Sequence, residues 1–487
     1  MRIPRPSPSR RSATAPALDS AAAVAAVALA FLSALAPTAL AAQDYYADIR
    51  PVLVENCVGC HTAEGVAWSM DDAEATYERH RMIARMMDDR RMPPWLAEPG
   101  HQDYVGDLSL DDETLAMVRR WAESDFPRGT PRPDPAIASR MGHHGFESDL
   151  SLDVLPAEGY LPNQESSDDY RCFLVDWSET EPGYVTGFRA DPGNRNVAHH
   201  VVVYAVQPDM WSRFREFDEA EPGAGYQCFG GALPDRMGQR SVAAAYEERY
   251  PGGLRAASNA NSWLAHWAPG MDGHVFPEGT GIRMEPGAGL VVQMHYYSST
   301  APGESDVGTR LDFMVEPTVE RPAFHLAQTR NDWLVSERSG TMVIPAGSQK
   351  SFHVADNLGR MLNYFAALTK VPAERIEALE LHSANLHMHS FGHSGEITLH
   401  RDTGEVETLL SVPRWDLAWQ RDFTFAEPKV LARDALDDTV LAVRCTFDNP
   451  TDATVFGGYG SAEEMCFNFA YIAVRAAPVS SEAGEGR

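Results

Sequence analysis

The chain has 487 residues, a net charge of −28, 44% apolar side chains and six cysteines. So acidic a chain repels phosphate backbones, which argues against nucleic acid as a partner. Its length implies two or three domains.

Arg2, Arg5, Arg10 and Arg11 precede an apolar run from Ala21 to Leu35, and Ala39-Leu40-Ala41 supplies the small residues of a cleavage site. The run is short, alanine-rich and followed by Pro37, so residues 1–42 read as a signal peptide rather than a membrane anchor. No later stretch approaches the roughly 18 consecutive apolar residues of a spanning helix. The expectation is an exported protein, periplasmic or secreted, without stable membrane insertion.

Residues 43–127 read as a compact helical unit. Within it, Cys57-Val58-Gly59-Cys60-His61 is the c-type haem attachment pattern: two thiols bond the vinyl groups and the histidine ligates iron. A zinc ribbon would need a second ligand pair nearby, and a thioredoxin-like motif a βαβ context; the sequence offers neither. Met92, in Arg91-Met92-Pro93-Pro94-Trp95, follows a helical stretch carrying Met82, Met86 and Met87. The prolines end that helix and hold the chain extended, which aims Met92 at iron as the sixth ligand, with His80 as the rival. Met82 and Met86, one helical turn apart, are expected in the core. Ser109-Leu110-Asp111-Asp112 caps a last helix with Leu115, Val118 and Trp121 along one face. The unit resembles a class I-like small cytochrome c, which implies one covalent haem c held by Cys57, Cys60, His61 and Met92.

Residues 128–150 are the expected linker: Pro127 to Pro135 holds four prolines without periodicity, and His143-His144 follow as exposed loop residues. Beyond it come short alternating runs between Gly/Pro-rich turns, among them Val201–Tyr204, Leu290–Tyr297 and Val440–Arg444. That is the texture of β-sandwiches. Two all-β domains are expected, 151–316 and 317–478, divided at Glu316-Pro317, with a tail from 479 to 487. The remaining cysteines, Cys172, Cys228, Cys445 and Cys466, are even in number, as disulfides in an exported protein require. Domain proximity pairs Cys172 with Cys228 and Cys445 with Cys466, although sequence alone permits three connectivities.

Metal-ligand types recur through this β-rich part. His199-His200 opens a strand, where neighbouring side chains face opposite ways, so both reach one ion only across a bulge or by unusual ring rotation. His295 lies on another strand and shares a face with Gln293. His387 and His389, at i and i+2 in an extended segment, share a face as well. Met465, beside Cys466 after a Gly457-Gly458-Tyr459-Gly460 turn, offers a thioether. Imidazole suits copper, zinc, iron or nickel, and a thioether favours cuprous copper.

His-His, then Gln-x-His-Tyr, then His-x-His, then Glu-Met-Cys resemble, in that order, the copper type II, ascorbate-dependent monooxygenases over residues of about 165–476. The resemblance implies two jelly-roll domains facing across a cleft, each with one copper. His199, His200 and His295 would hold the electron-supplying ion. His387, His389 and Met465 would hold the ion at which O₂ meets the substrate, and are the implied catalytic residues. His382 and His393 take no role. The peptide hydroxylases of the family place an arginine and a tyrosine on the substrate where this chain has Asn385 and Phe469, so a glycine-extended peptide is not the expected substrate. Some 50 residues between Tyr204 and Leu254 exceed the family's span and read as a lid or a docking surface.

The expected protein is an exported monooxygenase that hydroxylates a C–H bond of a small organic substrate with O₂. It would use two copper ions and one haem c, with electrons passed by the haem to the His199 centre from a small reductant or a redox protein. The alternatives are an electron-transfer or copper-binding protein without a substrate of its own, and an oxidase of small reductants on the same fold.

Overall fold

In the computed structural model, residues 43–62, 68–136, 146–228, 231–234, 240–268, 271, 273–330, 332–333, 340–458 and 462–478 are described. Residues 1–42, His143-His144, Tyr459, Gly460 and the tail from 479 lie outside the described residues. Among the described residues no helix is long and apolar enough to cross a membrane.

The N-terminal unit is built of short helices whose caps are legible in the sequence. Asp72 and Asp111 each accept a hydrogen bond from the backbone N–H three residues on, opening the helices Ala73–Tyr77 and Asp112–Glu123. Leu115, Val118 and Trp121 are buried on the latter, the face its spacing predicted. They pack with Tyr45, Ile49, Leu53, Ile83 and Met87. The helix His80–Asp88 turns Ile83, Ala84 and Met87 inward, so Met82, expected in the core, stands 43% exposed. The expected linker is tied back to this unit. Buried Arg50 forks onto Asp134 at 2.6 and 2.5 Å, and the Trp121 indole donates to Pro127 O.

The helical unit does not run unbroken from 43 to 127. Residues 95–107 leave it as an extended arm and enter the C-terminal half. Leu96, Ala97 and Tyr104 belong to the same buried cluster as Phe423 and Phe425. The Tyr104 hydroxyl donates to Leu409 O at 2.7 Å, and Val105 N and Ala426 N bond across to Thr424 O and Asp103 O. The arm thus behaves as a short added strand.

The rest of the chain is β-rich, as expected, in two layers per half. Five strands form the outer N-terminal sheet, in the order 226–227, 168–176, 289–297, 198–206, 261–267. Four form the outer C-terminal sheet, 348–357, 440–449, 392–400, 406–412. Both pack on one ten-stranded sheet whose main path runs 150–153, 310–316, 183–191, 280–284, 321–328, 467–476, 376–384, 423–432. The strand Arg310–Glu316 ends at Glu316, and the ten-stranded sheet continues past Glu316-Pro317. The joint is a parallel pairing, Thr280–Ile282 against Arg321–Ala323, in a sheet whose other strand pairings are antiparallel among the described residues. The two halves therefore share a backbone layer.

The described part of residues 205–254 covers the outer face of the five-stranded sheet. Trp211, Phe214 and Phe217 of the helix Pro208–Glu219 pack with Tyr226, Tyr246 and Val291. Gly289 is required there, since a Cβ on it would stand 2.1 Å from the Trp211 ring. Both disulfides are present, Cys172–Cys228 and Cys445–Cys466, as proximity paired them.

The arm makes a direct prediction. Tyr104→Ala removes a buried aromatic from the C-terminal core and should cost about 3 kcal/mol or more of that half's stability. Denaturant unfolding followed by C-terminal tryptophan fluorescence reads this; an unchanged midpoint would show the arm to be dispensable.

Candidate metal centres

The first cluster depends on a break in strand pairing. Ala198 pairs with Tyr296 and His200 with His295, so His199 is the extra residue of a bulge. The bulge overturns strict alternation and puts both neighbouring imidazoles on one side. The ligand atoms of His199, His200 and His295 all lie within 4.8 Å of one another. His199 Nδ1 and His295 Nδ1 are 3.3 Å apart. On its far side His295 Nε2 meets Asp168 Oδ1 at 2.9 Å, and its ring stacks on Tyr170 with centroids 4.1 Å apart. With Nε2–H donating to Asp168, Nδ1 presents its lone pair to the cluster, the arrangement that fixes a metal-ligating tautomer. Gln293 instead donates to Gly231 O and stands apart.

The second cluster forms where two C-terminal segments meet. Leu386–His387 is a two-residue strand paired with Asn468 and Phe467, and His389 lies beyond its end. His387 Nε2 is 2.9 Å from Met465 Sδ, and the rings of His387 and His389 are 5.4 Å apart. Each histidine is oriented through its other nitrogen: His387 Nδ1 bonds the Gln420 side chain, and His389 Nδ1 donates to Glu463 O at 2.9 Å. Glu464 secures the turn between them. Fully buried, it accepts the backbone N–H groups of His389 at 2.8 Å and Phe391 at 2.5 Å. Burial pushes its carboxyl up to about 7 against the pull of those donors. Gly457 lets this loop close, because a Cβ there would meet Trp333 O at 2.1 Å.

Burial, followed by the neighbouring imidazoles, lowers His199 to about 4 and His387 to about 3, and holds His200 well below the ordinary histidine range. All three are therefore neutral near pH 7, the form that binds metal. His387 and His389 both contribute to the lowering of His200, so the clusters lie within electrostatic reach of each other.

Beside His387 the space is aromatic. Phe467 and Phe469 stack with centroids 5.1 Å apart, and Trp263 from the N-terminal half lies 4.3 Å from Phe469. Asn385 donates to Asp422. His382 pairs with buried Glu380, and His393 is exposed. Sequence reading missed Asp168, Gln420 and Trp263, which carry no local motif.

In the helical unit, Cys57 and Cys60 take no part in either disulfide, and buried His61 donates through Nδ1 to Trp68 O at 2.8 Å, which leaves the lone pair on Nε2. His80 is engaged elsewhere: its Nδ1 meets Tyr77 O, and its ring packs on Tyr77 and Phe126. One loop, 414–422, joins this unit to the second cluster. Arg414 donates to Asp89 O and Arg90 O, and the Arg421 guanidinium lies 5.3 Å from the Trp95 ring centroid. From the same loop Trp415 Nε1 donates to His389 O. Met92 lies on the stretch that these arginines hold.

Residues 336–479 match the family model of the copper type II ascorbate-dependent monooxygenase, C-terminal domain. The matched stretch contains His387, His389 and Met465. A curated relative from Drosophila melanogaster, MOXD1 homolog 1, is 22% identical over 310 residues, 62% of this chain and 39% of its own. The chain thus spans well under half of that relative's length. Among solved structures, PNGF-II is 8% identical with a TM-score of 0.25, covering 69% of this chain and 66% of that one. The major capsid protein P2 of bacteriophage PM2 is 10% identical with a TM-score of 0.25, covering 69% and 99%.

Asp168 gives the sharpest test of the first cluster. Asp168→Asn should weaken copper binding there about 10- to 100-fold while sparing the second cluster. Competition with a chromophoric chelator measures both sites; equal weakening of both would contradict the assignment.

Proposed function

We propose that this protein is an exported copper-dependent monooxygenase that hydroxylates a C–H bond of a small organic substrate. The observation that carries the reading is the pair of clusters: three imidazoles within 4.8 Å in one half and a histidine–thioether contact of 2.9 Å in the other. The donor sets fit copper, since three neutral nitrogens accept either oxidation state and a thioether favours the cuprous ion. Copper at the two sites would supply the one-electron chemistry with O₂ that side chains cannot. Hydroxylation places one oxygen atom in the product and reduces the other to water, consuming two electrons and two protons.

The chain's own residues do the rest. His199, His200 and His295 would bind one ion with Asp168 fixing the last ring, and His387, His389 and Met465 the other with Gln420 and Glu464 fixing the loop. Phe467, Phe469 and Trp263 would give the substrate an apolar, aromatic surface beside His387. The jelly-roll description of each half belongs to this reading, as does the donor, a small reductant such as ascorbate or a redox protein. Export is supported by two disulfides, which persist in oxidising compartments.

A haem c on Cys57, Cys60 and His61 belongs to the same proposal. The residues fit: His61 is oriented through Nδ1, and with His80 packed among aromatics Met92 is the better sixth ligand. Haem there would supply one-electron transfer. The contacts of loop 414–422 favour a seat beside the His387 cluster over the His199 cluster that the sequence reading named as the recipient of electrons.

His387→Ala should abolish copper-dependent O₂ consumption with a panel of phenethylamine and small aromatic substrates, while His393→Ala stays near wild type. Loss of activity in both, or in neither, would contradict the placement. Copper and haem present without substrate-dependent O₂ uptake would favour an electron-transfer or copper-binding protein.

A further inference from the structure

Away from both clusters, three further histidines converge on one carboxylate where the two halves meet. His266 lies on the strand Asn261–Trp267 and His274 on His274–Val275, both N-terminal. His325 lies on the C-terminal strand Arg321–Gln328, and Asp422 directly precedes Phe423–Ala432. With Phe188 and Phe276 they line a small cavity, with room for about one atom of water size.

The cavity's polar groups are poorly satisfied by the protein alone. Both ring nitrogens of His266 are buried without a hydrogen-bond partner. His266 Nε2 stands 3.4 Å from Asp422 Oδ2, beyond a good hydrogen bond, and Asp422 Oδ1 accepts from Asn385. Asp422 is 7% exposed, and no lysine or arginine pairs with it among the described residues. Burial pushes its carboxyl up, but the three histidines and Asn385 outweigh that and hold it below its ordinary range. Burial also lowers His274, and lowers His325 to about 3. Arg421 interacts with this buried carboxylate electrostatically but forms no ion pair with it among the described residues, and a divalent cation is the partner that suits all four groups at once. The centroids of His266 and His325 are 6.4 Å apart, wider than the 5.7 Å of His200 and His295, and the ligand atoms are not gathered within 4.8 Å as in that cluster, so an ion here would draw the rings together.

We propose that His266, His274, His325 and Asp422 form a third metal site, which takes a divalent transition ion such as Zn²⁺ at the seam between the halves. Three nitrogen donors and a carboxylate suit a four-coordinate zinc ion. The ion would clamp strands of both halves together. It would also anchor the loop that runs from Asp422 back to Gln420 and His387. None of the four residues belongs to either copper cluster, so the site stands or falls apart from the copper reading.

The test uses the full chain with the other two clusters disabled by His200→Ala and His387→Ala. After chelation and equilibrium dialysis against Zn²⁺, elemental analysis should find one zinc per chain, with a raised melting temperature. Adding His266→Ala and His325→Ala should remove that zinc, and Asp422→Asn should weaken it at least about tenfold. Zinc absent from the first protein, or unchanged after the second pair of substitutions, overturns the site. If the doubly substituted chain does not fold, wild-type protein with copper in both clusters replaces it: one further Zn²⁺ bound is expected, and none overturns the proposal.

Discussion

The parallel pairing of Thr280–Ile282 with Arg321–Ala323 is the constraint on which the geometry rests. Two sandwiches joined only by a linker would be free to reorient, and inter-domain motion is the default for small polar interfaces. A shared sheet removes that freedom, because backbone hydrogen bonds fix both spacing and register. Side chains reinforce the joint. Tyr471 bonds Thr280 through their hydroxyls, and fully buried Glu380 gathers Arg321, His382 and Arg475. Such a buried ionic group contributes less net stability than its contacts suggest, but removing one partner strands a charge. His325 lies on the same joint strand, one turn of the pleat from Ala323. The seam cavity is therefore part of the joint.

The candidate ligands were legible in the sequence because their chemistry is local. Cys57-x-x-Cys60-His61, His387-x-His389 and Met465-Cys466 each carry their meaning within a few residues. The pair His199-His200 was legible only conditionally: regular alternation would separate the rings, and nothing in Ala198-His199-His200-Val201 announces the bulge that brings them together. The disulfides followed from an even count and proximity. Met82 misled because a one-turn spacing marks a face without saying which way that face points.

What stayed hidden depends on partners far away in the chain. Trp95 to Asp107 falls inside the expected helical unit, yet its partners are some 300 residues on, at Leu409 and Thr424. Asp168 and Gln420 orient ligands from strands and loops with no motif of their own. His266, His274, His325 and Asp422 each look like a lone core residue, and only the shared sheet assembles them. The β-rich character could be read from texture; the joint between the halves could not, since parallel pairing leaves no turn signature.

The central claim is that a thioether and imidazoles from one half bind copper beside an all-imidazole centre in the other. X-ray absorption at the copper edge of the dicuprous protein tests it most directly. The account predicts nitrogen scattering from both ions with one sulfur scatterer shared over the two, and loss of that sulfur alone in Met465→Ala. Copper without a sulfur neighbour in the wild-type protein would contradict it.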